Sequence, residues 1–282
     1  MARSTDISPL AQVLSRADAV ADGAPSPDTI ATGFPSLDRL LGGGLRGGDL
    51  TVLGGDVGSG KSALALAIAL RIAQQRQRVI YFSGEMTTER LLERVLAIEG
   101  RVRVDDLRSG VVNDVARASV GAAAVRMREL LPQIEPLAPG GIAALAERLE
   151  GAGTDLVIID SLQSLARGAQ QMDEELADAV RRLKRLALEQ RLAVLVTAQL
   201  PHLTARDDRR PTLEDFGALG AVKHHADVVL GLYREDMYDR RREIEGATEL
   251  LVRKNRNGST GYVDLYFYAQ WMRFEDMLDP DR

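Results

Sequence analysis

The 282-residue chain contains no cysteine. That excludes a disulfide framework, cysteine-based zinc or iron–sulfur sites and a thiol nucleophile, and it fits a protein kept in a reducing cytoplasm. Histidine is nearly as scarce. His202, His224 and His225 are too few and too closely grouped for the usual zinc enzymes. Aromatic residues make up only 4%, so the core must rest on Leu, Val, Ile and Ala. No run of about 18 apolar residues occurs, which predicts no membrane span. Residues 1–7 lack the apolar segment of a secretory leader. A global basic field is missing too: the formal net charge is −5, so any contact with nucleic acid must come from local patches. Lysine is rare as well. Only Lys61, Lys184, Lys223 and Lys254 stand among 36 cationic residues. A lysine that persists against this arginine bias is a candidate for a position that a planar guanidinium cannot fill.

What is present is an ordinary globular composition, 45% apolar and 27% charged, with length for one large domain or two small ones. Residues 8–22 read as an amphipathic helix, with Ser8 as N-cap, Pro9 at the first position and Leu10, Val13, Leu14, Ala17 and Val20 at helical spacing. The Gly23–Pro27 stretch reads as a linker. The helix needs something to pack on, either its own domain or a neighbouring subunit. From about residue 30 strands and helices alternate. Strands are expected at 49–54, 78–83, 156–159 and 193–197, and helices at 61–75, 87–99, 113–131, 142–150 and 174–190. Strands at 228–233, 249–254 and 262–268 follow, the last two joined by a turn around Asn257-Gly258. The expected organisation is a tail, helix and linker over 1–29 and one domain over 30–282. Its fold class is α/β, with a mostly parallel central sheet and antiparallel C-terminal strands.

Five motifs carry chemistry. Gly55-Asp56-Val57-Gly58-Ser59-Gly60-Lys61-Ser62 fits G-x-x-x-x-G-K-[ST] between a strand and a helix. Its glycines let backbone amides close on phosphate oxygens, Lys61 supplies a point charge to the β- and γ-phosphates of ATP, and the Ser62 hydroxyl ligates Mg²⁺. The apolar strand ending in Asp160 brings a carboxylate to the sheet's C-terminal edge, suited to a direct or outer-sphere hold on Mg²⁺. Ser83-Gly84-Glu85 places a second carboxylate after a strand, able to orient and deprotonate a water, worth about 10²–10⁴-fold. Gln199 ends another strand and reads either as a γ-phosphate sensor or as an ordinary loop amide. Lys254 and Arg256, two apart at a strand end, project to one face. They read either as a solvated basic turn or as a pair that needs an anion between them, such as a γ-phosphate held by another subunit.

In order along the chain, Thr32–Gly44, the phosphate loop, Phe82–Met86, Val157–Ser164, Thr197–Gln199, Ala226–Arg234, Lys254–Gly258 and Gln270–Glu275 resemble the motor domain of the DnaB-type hexameric replicative helicases. The resemblance spans roughly residues 30–277 and does not extend to that family's N-terminal helical domain. It implies a RecA-like P-loop core, a ring (a hexamer) with ATP sites between subunits, and single-stranded DNA as partner. It implies Glu85 as catalytic base, Asp160 with Ser62 on Mg²⁺, Gln199 coupling nucleotide to the central loops, and Lys254 and Arg256 acting in trans. The 8–22 helix resembles the family's linker helix, which docks on the adjacent subunit. Some wording is closer to the RadA/Sms ATPases, whose cysteine zinc finger cannot exist here. At the DNA-contacting loop, Gly217 and Ala218 replace a typical Arg-Glu pair, so the grip on DNA is expected from Arg206, Arg210 and the backbone near Gly220. A rival expectation is an ATP-switched regulatory or remodelling ATPase of the RadA or KaiC sort.

Overall fold

Short apolar strands and Ala/Leu-rich helices alternate through much of the chain, and the central strands are buried on both faces. The computed structural model describes residues 8–21, 28–166, 168, 171–200, 203, 206–238 and 245–277. The anticipated linker at 23–27 and His202 lie outside them. In chain order the elements are α1 (Pro9–Ala21), β1 (Thr29–Ile30), α2 (Pro35–Leu41), β2 (Leu45–Arg46), β3 (Leu50–Gly55), α3 (Lys61–Gln74), β4 (Val79–Ser83) and α4 (Thr88–Gly100). Then come α5 (Val104–Ser109), α6 (Asp114–Met127), β5 (Gln133–Pro136), α7 (Gly141–Leu149), β6 (Leu156–Asp160), α8 (Met172–Gln190) and β7 (Ala193–Gln199). The chain closes with α9 (Ala221–His225), β8 (Val228–Arg234), β9 (Ala247–Asn255), β10 (Gly261–Tyr268) and β11 (Arg273–Asp276).

Nine strands form one sheet in the order β11-β10-β9-β8-β3-β7-β6-β4-β5. From β8 to β5 all neighbours are parallel, and β8–β9, β9–β10 and β10–β11 are antiparallel. The parallel strands are buried on both faces, which explains their unbroken apolar runs. Along β6, Leu156 and Ile158 join the core built with α3, while Val157 and Ile159 join the core built with α7 and α8. All four are fully buried, and each such side chain contributes about 1.5–3 kcal/mol.

The expected α/β class and the antiparallel extension are present. Strands β5 and β11 were not anticipated. The first is a half-exposed edge strand of sequence Gln-Ile-Glu-Pro with no alternation to read. The second closes the opposite edge under α2 and α3. Asp276 accepts hydrogen bonds from the Ser36 amide (2.7 Å) and hydroxyl (2.8 Å). Arg71 donates to Gly33 O, Phe274 O and the Glu275 carboxylate at 2.8–2.9 Å. Much of the Thr32–Gly44 motif is therefore structural. Gly33 has φ +77°, and a Cβ there would meet Arg71 at 2.7 Å.

Helix α1 forms where expected, with Ser8 Oγ accepting from the Ala11 amide at 3.2 Å. Leu10, Val13, Leu14 and Val20 are all exposed. Of the two packing partners considered, its own domain is not used by these side chains.

Candidate nucleotide site

The phosphate loop follows β3 at the C-terminal edge of the parallel strands. Gly60 precedes α3 with φ +102°, and no side chain caps the helix. The amides of Gly60, Lys61, Ser62 and Ala63 take up no hydrogen bond among the described residues. Four successive unsatisfied N–H groups at the start of a 14-residue helix form a cradle for an anion. A Cβ at Gly60 would meet Phe274 at 2.9 Å, so only glycine serves there. Lys61 is 8% exposed, and its ammonium donates to Gly55 O (3.0 Å) and Asp56 O (2.8 Å). Burial lowers its pKa, opposed by the charges of Asp160, Asp56 and Glu85. The loop opens on a cleft of about 350 Å³ lined also by Ser62, Glu85, Arg94, Asp160, Thr197 and Gln199.

Strand ends supply the carboxylates. Asp160, 2% exposed, accepts from the Tyr81 hydroxyl at 2.8 Å and the Thr197 hydroxyl at 2.5 Å. These two donors from flanking strands use half of the roughly four lone-pair sites of a carboxylate and fix its plane. Burial, and then the neighbouring Asp160, push the Tyr81 phenol well above its ordinary value, so it stays a donor. Glu85 follows β4 in a turn held by Ser83, whose hydroxyl donates to Met86 O (2.7 Å) and accepts from the Met86 amide (3.1 Å). Its Oε1 accepts from Ser161 Oγ at 2.5 Å and from Gln199 Nε2 at 3.2 Å. Gln163 then grips the main chain of Gln199 from both sides: its Oε1 accepts the Gln199 amide at 3.1 Å and its Nε2 donates to Gln199 O at 3.2 Å.

Lys61, Ser62, Glu85, Asp160 and Gln199 are thus brought together. Sequence reasoning missed Tyr81, Ser161, Gln163, Thr197 and Arg94. Four of these sit inside or beside motifs already noticed, but their roles depend on register across strands. Arg94 gave no signal, since an arginine on an amphipathic helix reads as solvent-facing. It lines the cleft without a hydrogen bond or ion pair among the described residues. Burial lowers its pKa, opposed by Tyr81 and Asp160.

A family model described as the DnaB-like helicase C terminal domain matches residues 29–276. The chain belongs to the DnaB-like helicase C-terminal domain family. The replicative DNA helicase DnaB of Geobacillus stearothermophilus is 31% identical over 261 residues, covering 88% of this chain and 56% of that protein. The chain therefore spans about half the length of the curated relatives it matches. Among solved structures, a DnaB-like replicative helicase superposes with a TM-score of 0.86 at 24% identity, over 95% of this chain and 66% of that one. A KaiC-like protein from Pyrococcus horikoshii OT3 superposes at 0.61 and 15% identity, over 89% and 99%. Likeness at these identities shows the fold alone, one that DnaB-like and KaiC-like proteins share. The family match, not the fold, separates the two readings.

Within this DnaB-like domain, Lys254 and Arg256 lie away from the cleft. The end of β9 is beside Val228 and Val229, whereas the phosphate loop follows Gly55, beside Leu232. Four steps of β8 separate the two levels, about 13 Å. The two cations converge on the C-terminus of α9. Lys254 Nζ donates to Lys223 O (2.7 Å) and Ala226 O (2.5 Å), and Arg256 donates to His224 O (2.6 Å) and Asp227 (3.2 Å). Burial lowers the Lys254 pKa, with Arg256 adding to the effect.

The loop that aligns with DNA contacts in the resemblance is tightly wound. Gly217, Ala218, Leu219 and Gly220 have φ of +57°, +50°, +51° and +77°. Ala218 and Leu219 are the costly ones, about 1–3 kcal/mol each, and buried Phe216 and Ala218 pin the loop to the core. Phe216 reaches β3, where a Cβ on Gly54 would meet its ring at 2.4 Å. Both arginines expected to grip DNA are engaged internally. Arg206 holds Asp215 bidentately (3.0 and 2.9 Å), and Arg210 holds Glu249 bidentately (2.7 and 2.5 Å). The hydrogen bonds to Glu249 raise the Arg210 pKa above its ordinary value. Here the two guanidiniums brace the loop, and a phosphate would have to displace a carboxylate to reach either.

Proposed function

We propose that the chain is an ATP-hydrolysing motor domain that assembles into a ring, a hexamer, and acts on single-stranded DNA. One observation carries this reading: the catalytic groups divide between two ends of the sheet. The phosphate loop, Glu85, Asp160 and Gln199 gather at one end and the cationic pair Lys254/Arg256 at the other. A site at an interface would join one subunit's cleft to its neighbour's cations.

ATP fits the loop because the free amides Gly60–Ala63 and the ammonium of Lys61 present donors and positive charge to phosphate. The loop itself is closed by the Ser59 amide donating to Asp56 O at 3.2 Å and the Val57 amide donating to Asp56 Oδ1 at 2.7 Å. Mg²⁺ fits the donor set of one oriented carboxylate, Asp160, and one hydroxyl, Ser62, since this ion retains waters and shares phosphate oxygens. Bound there, it would neutralise charge on the β- and γ-phosphates. Glu85, held by Ser161 and Gln199, orients the attacking water and accepts its proton. Arg94 adds a cation to the same cleft. Gln199 touches Glu85 on one side and, through Leu200, Phe216 and Gly54, neighbours the DNA loop, a short path from nucleotide state to that loop. With Arg206 and Arg210 engaged, the DNA grip falls to the backbone near Gly220. The exposed stripe of α1 is suited to a neighbouring subunit.

Strand displacement on a forked duplex tests this reading. ATP-dependent unwinding by the assembled protein supports the motor. ATP turnover without DNA binding or unwinding at low salt would instead indicate a switch ATPase, and the hydrolytic chemistry would stand.

A further inference from the structure

Asp227, met above only as an acceptor of Arg256, has no role assigned to it so far. It is 3% exposed, just before β8 at the far end of the sheet. Its Oδ2 accepts from the Leu50 amide at 2.8 Å and from Lys184 Nζ at 2.6 Å, and its Oδ1 accepts from Arg256 at 3.2 Å. The main chain repeats the pattern: the Asp227 amide donates to Leu50 O and its carbonyl accepts from the Arg256 amide, both at 2.9 Å. Lys184 also donates to Gly48 O at 2.8 Å and lies 3.8 Å from Asp49.

A buried carboxylate is costly unless it is paired and hydrogen-bonded. Here one backbone amide and two cations hold it. Lys184 reaches from α8, and its ammonium meets Asp227 at 2.6 Å and Gly48 O at 2.8 Å. Arg256 is about half exposed, at 48%. One side of its guanidinium is fixed by Asp227 and His224 O, and its remaining N–H groups have no partner among the described residues.

We propose that Asp227, charge-balanced by Lys184, is the positioning residue for Arg256. It fixes the guanidinium's direction and ties it to Leu50, the first residue of β3. The other end of that buried six-residue strand becomes the phosphate loop. The cation a subunit offers one neighbour and the loop that holds its own nucleotide are thus anchored on a single strand. This rests on Arg256 acting in trans.

Asp227→Asn keeps the shape and an acceptor for Leu50 while removing the charge that orients Arg256. Phosphate release by the assembled protein is measured, with circular dichroism and thermal unfolding to establish the fold. The expected result is a fall in kcat of about 10–100-fold, the scale of misplacing a catalytic group, with nucleotide KM within about twofold. In an Arg256→Ala background the same change should lower the residual single-turnover rate no further. Lys184→Met, which retains the buried stem, should show a smaller loss with the same non-additivity, and takes over the test if Asp227→Asn does not fold. Equal fractional losses in both backgrounds, or an unchanged kcat in folded protein, overturn the positioning role. Full turnover in Arg256→Ala alone is a separate failure: it removes the trans role of Arg256 and the positioning role with it.

Discussion

At position 61 the chain keeps a lysine amid arginines, and its ammonium is buried in the phosphate loop. Two of its three donors hold the carbonyls of Gly55 and Asp56 inside a cradle closed by Gly60. A planar guanidinium does not present the compact charge of an ammonium. Lys61→Ala and Lys61→Arg should both abolish steady-state phosphate release while leaving the fold intact by circular dichroism. Near-wild-type release in either variant would contradict the role of this loop. Asp160 depends on two hydroxyls. Thr197→Val removes one without changing shape, so the carboxylate loses orientation rather than existence. The expected outcome is a Mg²⁺ requirement raised roughly tenfold, the scale of losing a group that orients a metal ligand, read as the half-saturating Mg²⁺ for turnover. Motifs announced Lys61, Ser62, Asp160, Glu85 and Gln199. They were silent on Thr197, Ser161 and Gln163, whose meaning comes only from facing a neighbouring strand, and on Arg94, which is distinguished by where α4 docks.

At the scale of elements, the parallel strands were readable because burial on both faces leaves an unbroken apolar run, as at Leu156–Ile159. The edge strands β5 and β11 were not, because half-exposed positions carry mixed residues and their pairing is set by distant partners such as Ser36 and Arg71. The same limit applies to Arg210. In sequence it stands in a basic cluster suited to phosphate, whereas in the fold it is half of a bidentate pair with Glu249 on β9 and lies 4.7 Å over the ring of Tyr233. Arg210→Ala should therefore cost about 1–3 kcal/mol of stability by leaving Glu249 unpaired, measured by urea unfolding. If stability is unchanged while the salt slope of DNA binding drops by about one unit, Arg210 is a phosphate contact after all.

For the whole molecule, two features look outward. The apolar stripe of α1 is exposed, and the Lys254/Arg256 end of the sheet is remote from its own cleft. In the proposed ring both would face a neighbouring copy of the chain. Removing residues 1–21 should leave nucleotide binding but reduce assembly and turnover together, seen by light scattering and phosphate release at matched concentration. Retained assembly would assign the stripe another partner.

The division of the site between subunits is the central claim, and mixing two inactive variants tests it most directly. Glu85→Ala lacks the base and keeps Arg256; Arg256→Ala lacks the cation and keeps Glu85. In rings assembled from equal amounts, about a quarter of the head-to-tail interfaces should pair an intact Glu85 with an intact Arg256. Phosphate release should then reappear in the mixture and not in either variant alone. A mixture that exchanges subunits freely and stays inactive would contradict the shared site.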